Sequence, residues 1–293
     1  MKIPDKAKTA FQGSMQNSGT VELPFPAPPF YIVNGNPQLA AIGGFQHFGG
    51  WACNADKIKD AADHWTNVPF PISGLVTADI FLDGGKKLSV LGSRSLLVAP
   101  IGMRQFSSVF DQNTNQTRRV APFTPGARPG LQVLCVLGYK DVNKVIQVWA
   151  PIMITAKGFQ VNHVQKAFAS WQKTIFPVIK RMIHDADSSV SNLFWMSIGT
   201  FGPELKQEYV GSGQRKPITP VSAFMPETVD EEVLERLYVG DQVAEFMADL
   251  SSESAEWLKV FENMEPAQKK AQPVQAGTDL YEPPPPEEDD IPF

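Results

Sequence analysis

The sequence predicts a mixed α+β fold that consists mainly of β-strands. Three observations predict it: short runs rich in Val, Ile and Leu between turn residues, one long segment with helical spacing, and an acidic helical region near the end. The chain has 293 residues, of which 43% are hydrophobic and 19% are charged. A chain of this length can bury one sizeable core or two modest ones.

Four segments between residues 73 and 156 have the composition of strands. They are rich in Val, Ile and Leu and are separated by Gly, Asp, Asn and Pro: residues 73–82, 86–100, 130–139 and 144–156. The sequence Asp-Gly-Gly at 83–85 predicts a hairpin turn between the first two. Residues 102–128 carry four arginines and three phenylalanines among polar residues, which predicts a long basic loop.

One segment, residues 161–187, changes to helical spacing. Its apolar residues recur every three or four positions, which predicts an amphipathic helix. Pro177 predicts a kink, or a break near Phe176. Further strands are predicted after the helix, at residues 192–201, 206–211 and 220–224.

The order of these elements is several strands, one helix and then further strands. A five-stranded Greek-key barrel with a helix between its third and fourth strands, the OB-fold, has this order and is a common platform for single-stranded nucleic acid. Four predicted strands precede the helix, so either two of them form one bent strand or the barrel carries an added hairpin. We therefore expect an OB-like domain over residues 41–226.

The remaining segments flank this domain. Residues 1–40 are rich in Pro, Gly, Asn and Ser, which predicts an extended or partly ordered arm. Residues 227–263 predict an acidic helical segment, in which Thr228 with Glu231 has the spacing of a capping box and Ser254 is a further candidate cap. Residues 264–293 predict a flexible linker with a disordered acidic tail.

Charge is distributed unevenly along the chain. Residues 1–226 hold 22 basic and 13 acidic residues, a balance of +9, whereas residues 227–270 hold 4 and 12, and residues 271–293 hold none and 6. The segments carry +9, −8 and −6, which sum to the net charge of −5. A basic body is typical of a nucleic-acid-binding domain, because phosphates draw affinity from Lys and Arg, although chance clustering on a solvated surface is the alternative.

Composition argues against several other classes of protein. The two cysteines, Cys53 and Cys135, are far apart, and the first residues lack the apolar run of a signal peptide, which indicates a reducing, cytoplasmic setting. The predicted location is therefore the cytoplasm, including the nucleoid, or the cytoplasm of the host if the chain is encoded by a phage. No window of the sequence is long and apolar enough to span a membrane. The four histidines are scattered, so we expect no metal site, no cofactor and no enzymatic activity.

The candidate contacts to nucleic acid are cations for phosphates and aromatic rings for bases. The glycine-rich stretch 43–51 supplies three of the rings, although packing of a turn on the domain is an equally good interpretation of them. Two other candidates, Phe106 and Trp149, are equally compatible with the core. The predicted phosphate contacts are Lys86, Lys87, Arg94, Arg104, Arg118 and Arg119, and the predicted stacking rings are Phe45, Phe48, Trp51, Phe106 and Trp149.

The printed sequence closes with Asp289, Asp290, Ile291, Pro292 and Phe293 after a run of prolines and acids. This tip resembles the C-terminal tip of single-stranded DNA-binding proteins of bacteria, phages and plasmids. The resemblance covers about seven residues and does not extend to the body of the chain. It implies that the Phe side chain enters an apolar pocket of a partner enzyme, that its carboxylate meets a basic residue, and that the aspartates meet a basic rim.

These observations lead to two main hypotheses. The first is a non-enzymatic protein that coats single-stranded DNA and recruits replication, repair and recombination enzymes through its tip. The second is an adaptor or recombination accessory protein that uses the same tip without binding DNA. An enzyme that processes nucleic acid is a lesser alternative. A homo-oligomer is compatible with the sequence, and we expect no membrane partner.

Overall fold

The computed structural model describes residues 22–65, 72–81, 87–111, 116–210 and 216–261. Within these ranges the chain forms a mixed α+β fold, mainly strands, with a curled half-barrel sheet and several helices. The coarse fold class predicted from the sequence is therefore confirmed. No helix in the described ranges is both long and apolar enough to cross a membrane.

The described ranges contain twelve strands, six α-helices and two 3₁₀ helices, Pro37–Leu39 and Ser188–Leu193. The strands are β1 Pro29–Val33, β2 Gly50–Asn54, β3 Val76–Phe81, β4 Lys87–Ser93, β5 Ser95–Asp111, β6 Gln116–Val120, β7 Arg128–Lys140, β8 Ile146–Lys157, β9 Met196–Gly199, β10 Glu208–Val210, β11 Lys216–Ile218 and β12 Ser222–Ala223. The helices are α1 Gly44–Phe48, α2 Ala55–His64, α3 Gln160–Met182, α4 Glu231–Leu237, α5 Asp241–Glu253 and α6 Ala255–Lys259.

The main sheet has ten strands. Nine follow the order β12-β9-β5-β7-β8-β1-β2-β4-β3, and β6 pairs with β5 outside this path. All neighbours are antiparallel except β1 and β8, which are parallel. Within the described strands, β3 and β12 form the two ends of the path and do not pair with each other. The five-stranded closed barrel is therefore not confirmed.

The first predicted hairpin is present, but one predicted strand is divided into two. β3 and β4 pair antiparallel as expected, with Val76 opposite Gly92. The predicted turn at 83–85 lies outside the described residues. The expected strand 86–100 bends at Arg94, because β4 pairs with β2 and β3 whereas β5 pairs with β7 and β9.

The predicted basic loop at 102–128 is wrong. Most of this segment is strand, since β5 continues to Asp111, β6 covers Gln116–Val120, and β7 begins at Arg128. The alternation was hidden because polar residues occupy the buried side of β5, where Arg104 is 6% exposed and Ser108 is 9% exposed. Hydrophobic periodicity cannot identify a strand whose buried side is polar.

The long helix is present and continues through its proline. α3 buries Val164, Phe168, Trp171 and Ile175 on one side, as the spacing predicts. The predicted break near Phe176 is wrong, because the helix ends at Met182 with Pro177 inside it. α3 packs against β7, β8 and β12 and thereby covers part of the sheet.

Part of the predicted N-terminal arm belongs to the sheet. β1 lies between β8 and β2, so it is an internal strand and not an arm outside the domain. Phe25 and Phe30 are 6% and 0% exposed. The proline-rich stretch can therefore bury its aromatic residues, because its neighbours supply the core that it lacks on its own. Residues 1–21 lie outside the described part.

The acidic helices form as predicted, with different caps. α4 is capped by Asp230, whose Oδ1 accepts a hydrogen bond from the Val233 N–H at 2.8 Å, and not by Thr228. Ser254 precedes α6, but its hydroxyl donates to the Ser251 carbonyl at 3.4 Å and forms no cap. α5 and α6 both pack against β5.

Candidate nucleic-acid interface

Most of the predicted stacking rings lie in the interior. Phe45, Trp51, Phe106 and Trp149 are each 2% exposed or less. The Trp51 indole donates from Nε1 to the Ile198 carbonyl at 2.8 Å, which anchors β2 near β9. These four rings pack within the protein and present no free face to a base, so the alternative interpretation as core residues describes them.

Phe48 and Arg94 form a separate pair at the beginning of β5. The Arg94 guanidinium lies 4.0 Å from the centroid of the half-buried Phe48 ring, within the range of a cation–π interaction. Its Nη2 donates to the Gly202 carbonyl at 2.7 Å. Arg94 precedes Arg104 by ten residues, which corresponds to about 30 Å along a strand. The structure therefore divides the predicted site between two locations.

The other predicted lysines and arginines differ in their surroundings. Lys87 lies on β4, and its Nζ forms an ion pair with Asp79 Oδ2 at 2.9 Å. An exposed pair of this kind contributes about 1 kcal/mol or less to stability. Lys86 and the side chain of Arg118 lie outside the described residues.

The second location brings several cations onto one side of the sheet. Arg104, Phe106 and Ser108 alternate along β5 and therefore share a face. Ser108 pairs with Arg119 of β6 on one side and with Arg128 of β7 on the other. Directly paired residues point to the same face, so both arginines lie on the side of Arg104.

We name this surface the basic face and define it by Arg119, Arg128 and Lys157, with Arg104 and Phe106 on the same side of the sheet. Arg119 and Arg128 are exposed and stand two strand spacings apart, about 10 Å. Lys157 joins them because it pairs with Gly130, which pairs with Phe106. The Arg119 guanidinium lies 5.3 Å from the centroid of the Phe106 ring.

The short loop that joins β6, the strand of Arg119, to β7, the strand of Arg128, holds an exposed ring. Phe123 is 85% exposed and has a φ of 60°, which is strained for a residue with a Cβ atom. Its neighbours are fixed, since Ala121 and Thr124 are buried and the Thr124 hydroxyl donates to the Ala121 carbonyl at 2.7 Å. The loop therefore presents the Phe123 ring to solvent from an anchored backbone.

The turn before α3 lies against Arg128. The Gly158 N–H donates to the Pro129 carbonyl at 2.8 Å, which holds this turn beside β7. A Cβ added at Gly158 would lie 3.2 Å from Arg128 Nε, so the arginine side chain rests on this glycine. Phe159 follows directly and is 54% exposed. A second exposed ring thus borders the basic face.

Arg104 is the one cation of this group that is covered. It is 6% exposed, its Nε donates to Gln132 Oε1 at 2.9 Å, and its Nη1 donates to the Trp257 carbonyl at 2.9 Å. The Trp257 ring lies 3.6 Å from its guanidinium carbon and the Phe261 ring lies 4.9 Å away. Burial, and secondarily the charge of Arg119, lower the pKa of Arg104 to about 9, so it stays protonated at neutral pH.

The end of the acidic helical segment lies against two of the candidate contact residues. The charge of the acidic helices predicts that they lie away from any surface that binds nucleic acid. The structure places Trp257 of α6 over Arg104, and it places Phe261, two residues after α6, against Phe106. The reason is local, because the residues of this segment that face β5 are Trp257, Leu258 and Phe261 and not its acids.

Sequence analysis missed four residues of this region: Phe123, Arg128, Lys157 and Phe159. Phe123 and Arg128 were visible as part of the supposed basic loop, but the loop interpretation gave no reason to select them. Lys157 and Phe159 carried no local signal. Lys157 is joined to Arg119 only by the register across β5, β7 and β8, and Phe159 is joined to Arg128 only by the turn at Gly158.

A cleft of about 590 Å³ lies elsewhere, around the start of β5 and the end of β7. Trp171, Trp195 and Tyr139 line it together with Lys140 and Arg236, and none of the predicted contact residues does. In the described part of the chain, no three His, Cys, Asp or Glu residues are grouped so that they could hold a metal ion.

Comparisons of the chain with protein-family models, with curated proteins and with solved structures gave no match.

Proposed function

We propose that the chain is a non-enzymatic single-stranded DNA-binding protein that coats the strand and recruits replication, repair and recombination enzymes through residues 289–293. The observation that supports DNA binding is the row Arg119–Ser108–Arg128, together with the anchored, exposed Phe123 in the loop that joins β6 to β7. Cations in a row with an adjacent aromatic ring are the elements that single-strand binders combine.

The exposed ring supports a single strand as the ligand. The faces of a base are stacked on its neighbours in a duplex, whereas an unpaired base can stack on a side chain. Phe123 is fixed at both flanks and 85% exposed, so little chain entropy is lost when a base stacks on it. A stacked base contributes roughly 1 to 3 kcal/mol.

The proposal also includes a platform of the OB type in a broad sense. OB-folds bind oligonucleotides on the face of a curved sheet and on the loops beside it. In this chain the curled sheet, the loop that carries Phe123 and the turn at Gly158 would act in that way. The ten-stranded order is different, so no strand of a five-stranded barrel is assigned to it.

The recruiting half of the proposal depends on the sequence alone. Residues 289–293 lie outside the described part, and their support is the resemblance of Asp-Asp-Ile-Pro-Phe to the tips of single-stranded DNA-binding proteins. Acids followed by an apolar aromatic residue suit a partner with a basic rim around an apolar pocket. DNA on the basic face would leave such a tip available to that partner.

A binding measurement tests the proposal. Fluorescence anisotropy of a labelled polythymidine of about 30 nucleotides is followed with the full chain and with a chain that ends before Glu287, without metal. We expect both to bind, the shorter chain at least as tightly, with affinity that falls as salt rises. If neither binds, the chain is not a coating protein and the adaptor hypothesis replaces it. Loss or modification of the probe when Mg²⁺ is added would indicate an enzyme.

A further inference from the structure

The segment that covers Arg104 is the last part of the chain that the structure describes. We call residues 255–261 the strap. Three of its own side chains are buried: Trp257, Val260 and Phe261 are 4%, 6% and 7% exposed. Val260 and Phe261 form a small cluster with Phe106 that is separate from the main core. Among the described residues, the outer end of the strap therefore packs on a small cluster and not on the main core.

The strap covers the continuation of the basic face. Arg104 and Phe106 lie on the same side of β5 as Ser108, whose strand neighbours are Arg119 and Arg128. Ser108 lies four residues beyond Arg104, which is about 13 Å along a strand. A nucleic-acid strand that lies on the two exposed arginines therefore reaches Arg104 only where the strap now lies.

The covered surface holds polar groups that are incompletely compensated. The groups that contact Arg104 are neutral, namely two acceptor oxygens and two ring faces. Arg104 pairs with Gln132, and Gln132 pairs with Thr155, so the three form one polar row across β5, β7 and β8. Thr155 is 2% exposed, and its hydroxyl has no hydrogen-bond partner among the described residues. A buried cation and a buried unpaired hydroxyl are both costly, and an anion would compensate the cation directly.

We propose that the strap is a displaceable cover, and that single-stranded nucleic acid displaces it so that a phosphate binds Arg104 and a base stacks on Phe106. This inference depends on the proposed function. A weaker mode uses Arg119, Arg128 and Phe123 with the strap in place, and a tighter mode adds Arg104 and Phe106 after the strap has moved. The sequence-based assignment of these two residues as contacts then applies to the open form.

A reversible lock tests the cover. A Cβ at Gly102 would lie 2.8 Å from Leu258 Cδ1, so the double variant Gly102→Cys, Leu258→Cys places two thiols next to each other across the strap and β5. The native Cys53 and Cys135 are fully buried and do not compete for oxidation. The same preparation is compared oxidised and reduced, so each sample is its own folding control.

We expect the oxidised form to bind polythymidine about tenfold more weakly than the reduced form, because a charge-assisted phosphate contact and a stacked base are lost. Hydrogen exchange on the unaltered chain gives a second measurement. The Leu258 N–H donates to the Ser254 carbonyl at 2.9 Å, and its exchange should become faster when the oligonucleotide is added.

The two measurements separate this inference from the proposed function. Equal binding by the oxidised and reduced forms, or exchange in the strap that stays unchanged or slows on binding, overturns the cover while the proposed function stands. Absence of binding in every form, including the unaltered chain, overturns both.

Discussion

Phe123 combines strain with exposure. An aromatic residue at a φ of 60° costs about 1 to 2 kcal/mol relative to the usual backbone region, and at 85% exposure its ring gains little from packing. Backbone strain that no packing interaction offsets is typical of residues that act in binding. The proposed stacking role supplies such a function.

The substitution Phe123→Asn tests this role. Asn tolerates the left-handed region, so we expect the free energy of unfolding to stay the same or to rise by about 1 kcal/mol. Affinity for polythymidine should fall about tenfold because one stacking face is lost. Val142→Asn is the matched control, because Val142 is 98% exposed and lies on the turn after β7, away from the basic face. Equal losses in the two variants would contradict the role.

The two cysteines make a prediction about pH. Burial raises the pKa of the Cys53 and Cys135 thiols well above its usual range. The unfolded thiols ionise near pH 8.5 and the folded ones stay protonated, so the unfolded state binds fewer protons above that pH. Stability is therefore retained below about pH 8.5 and lost as pH rises further, by up to about 1.4 kcal/mol per pH unit for each thiol.

Urea unfolding between pH 7.5 and pH 10, about 2.5 units, measures this loss. The variant Cys135→Ala should show a shallower decline than the unaltered chain, because one of the two ionisations is absent. Arg104 has the opposite effect on stability, because burial lowers its pKa to about 9 in the folded state. Above about pH 9 the unfolded state holds this proton more strongly than the folded state, so this contribution to the free energy of unfolding rises with pH. A stability that is independent of pH in both proteins would contradict burial of the thiols as protonated groups.

The sequence predicts which side chains are candidate contacts to nucleic acid, but it does not predict how exposed those side chains are. The sequence identified Arg94, Arg104 and Arg119 as cations near aromatic rings, and all three lie within cation–π distance of one. It could not tell that Arg104 is covered, or that Trp51 and Trp149 are interior. Burial depends on which segments pack against a residue, and those segments lie far away in the sequence.

At the scale of elements, β5 shows where pattern analysis fails. Its first half is apolar and was recognised as part of a strand. Its second half places Arg104, Ser107 and Ser108 in buried positions, so the alternation of apolar and polar residues disappears. By contrast, the periodic apolar stripe of α3 was recognised because it faces one apolar core.

Gly130 of β7 lies directly against the Phe106 ring of β5. A Cβ on Gly130 would lie 2.3 Å from Phe106 Cζ, closer than packed atoms approach. We expect Gly130→Ala to lower the free energy of unfolding by about 1 to 3 kcal/mol, since the Phe106 ring must move. Chemical denaturation measures the change.

A double-mutant cycle shows whether the ring is the cause. Phe106→Leu removes part of the ring that the new methyl group would meet. Adding Gly130→Ala to Phe106→Leu should therefore cost less than adding it to the unaltered chain. Additive costs would contradict a direct clash between Phe106 and position 130.

At the scale of the whole molecule, the topology of the sheet could not be predicted from the sequence. β1 pairs in parallel with β8, and about 120 residues separate Tyr31 from Thr155 in that register. Nothing local in residues 29–33 specifies that partner. The mixed α+β class could be predicted from local patterns, whereas the strand order that assembles the basic face from β5, β6, β7 and β8 could not.

The charge asymmetry of the chain is consistent with the position of the basic face. The body carries a balance of +9, and Arg119, Arg128 and Lys157 come together on one side of its sheet. Acidic residues dominate after residue 226, yet the strap meets β5 through its apolar side chains. The body can therefore attract phosphates although the chain as a whole is acidic.

The salt dependence of polythymidine affinity tests the central claim most directly. For a single strand, the slope of log affinity against log salt is about −0.7 per phosphate contact. The double variant Arg119→Gln, Arg128→Gln should therefore have a slope shallower by about 1.4, whereas the control Lys166→Gln, Lys173→Gln on the exposed side of α3 should keep the original slope. A slope unchanged in the arginine variant, or reduced equally in both, would contradict binding at the basic face.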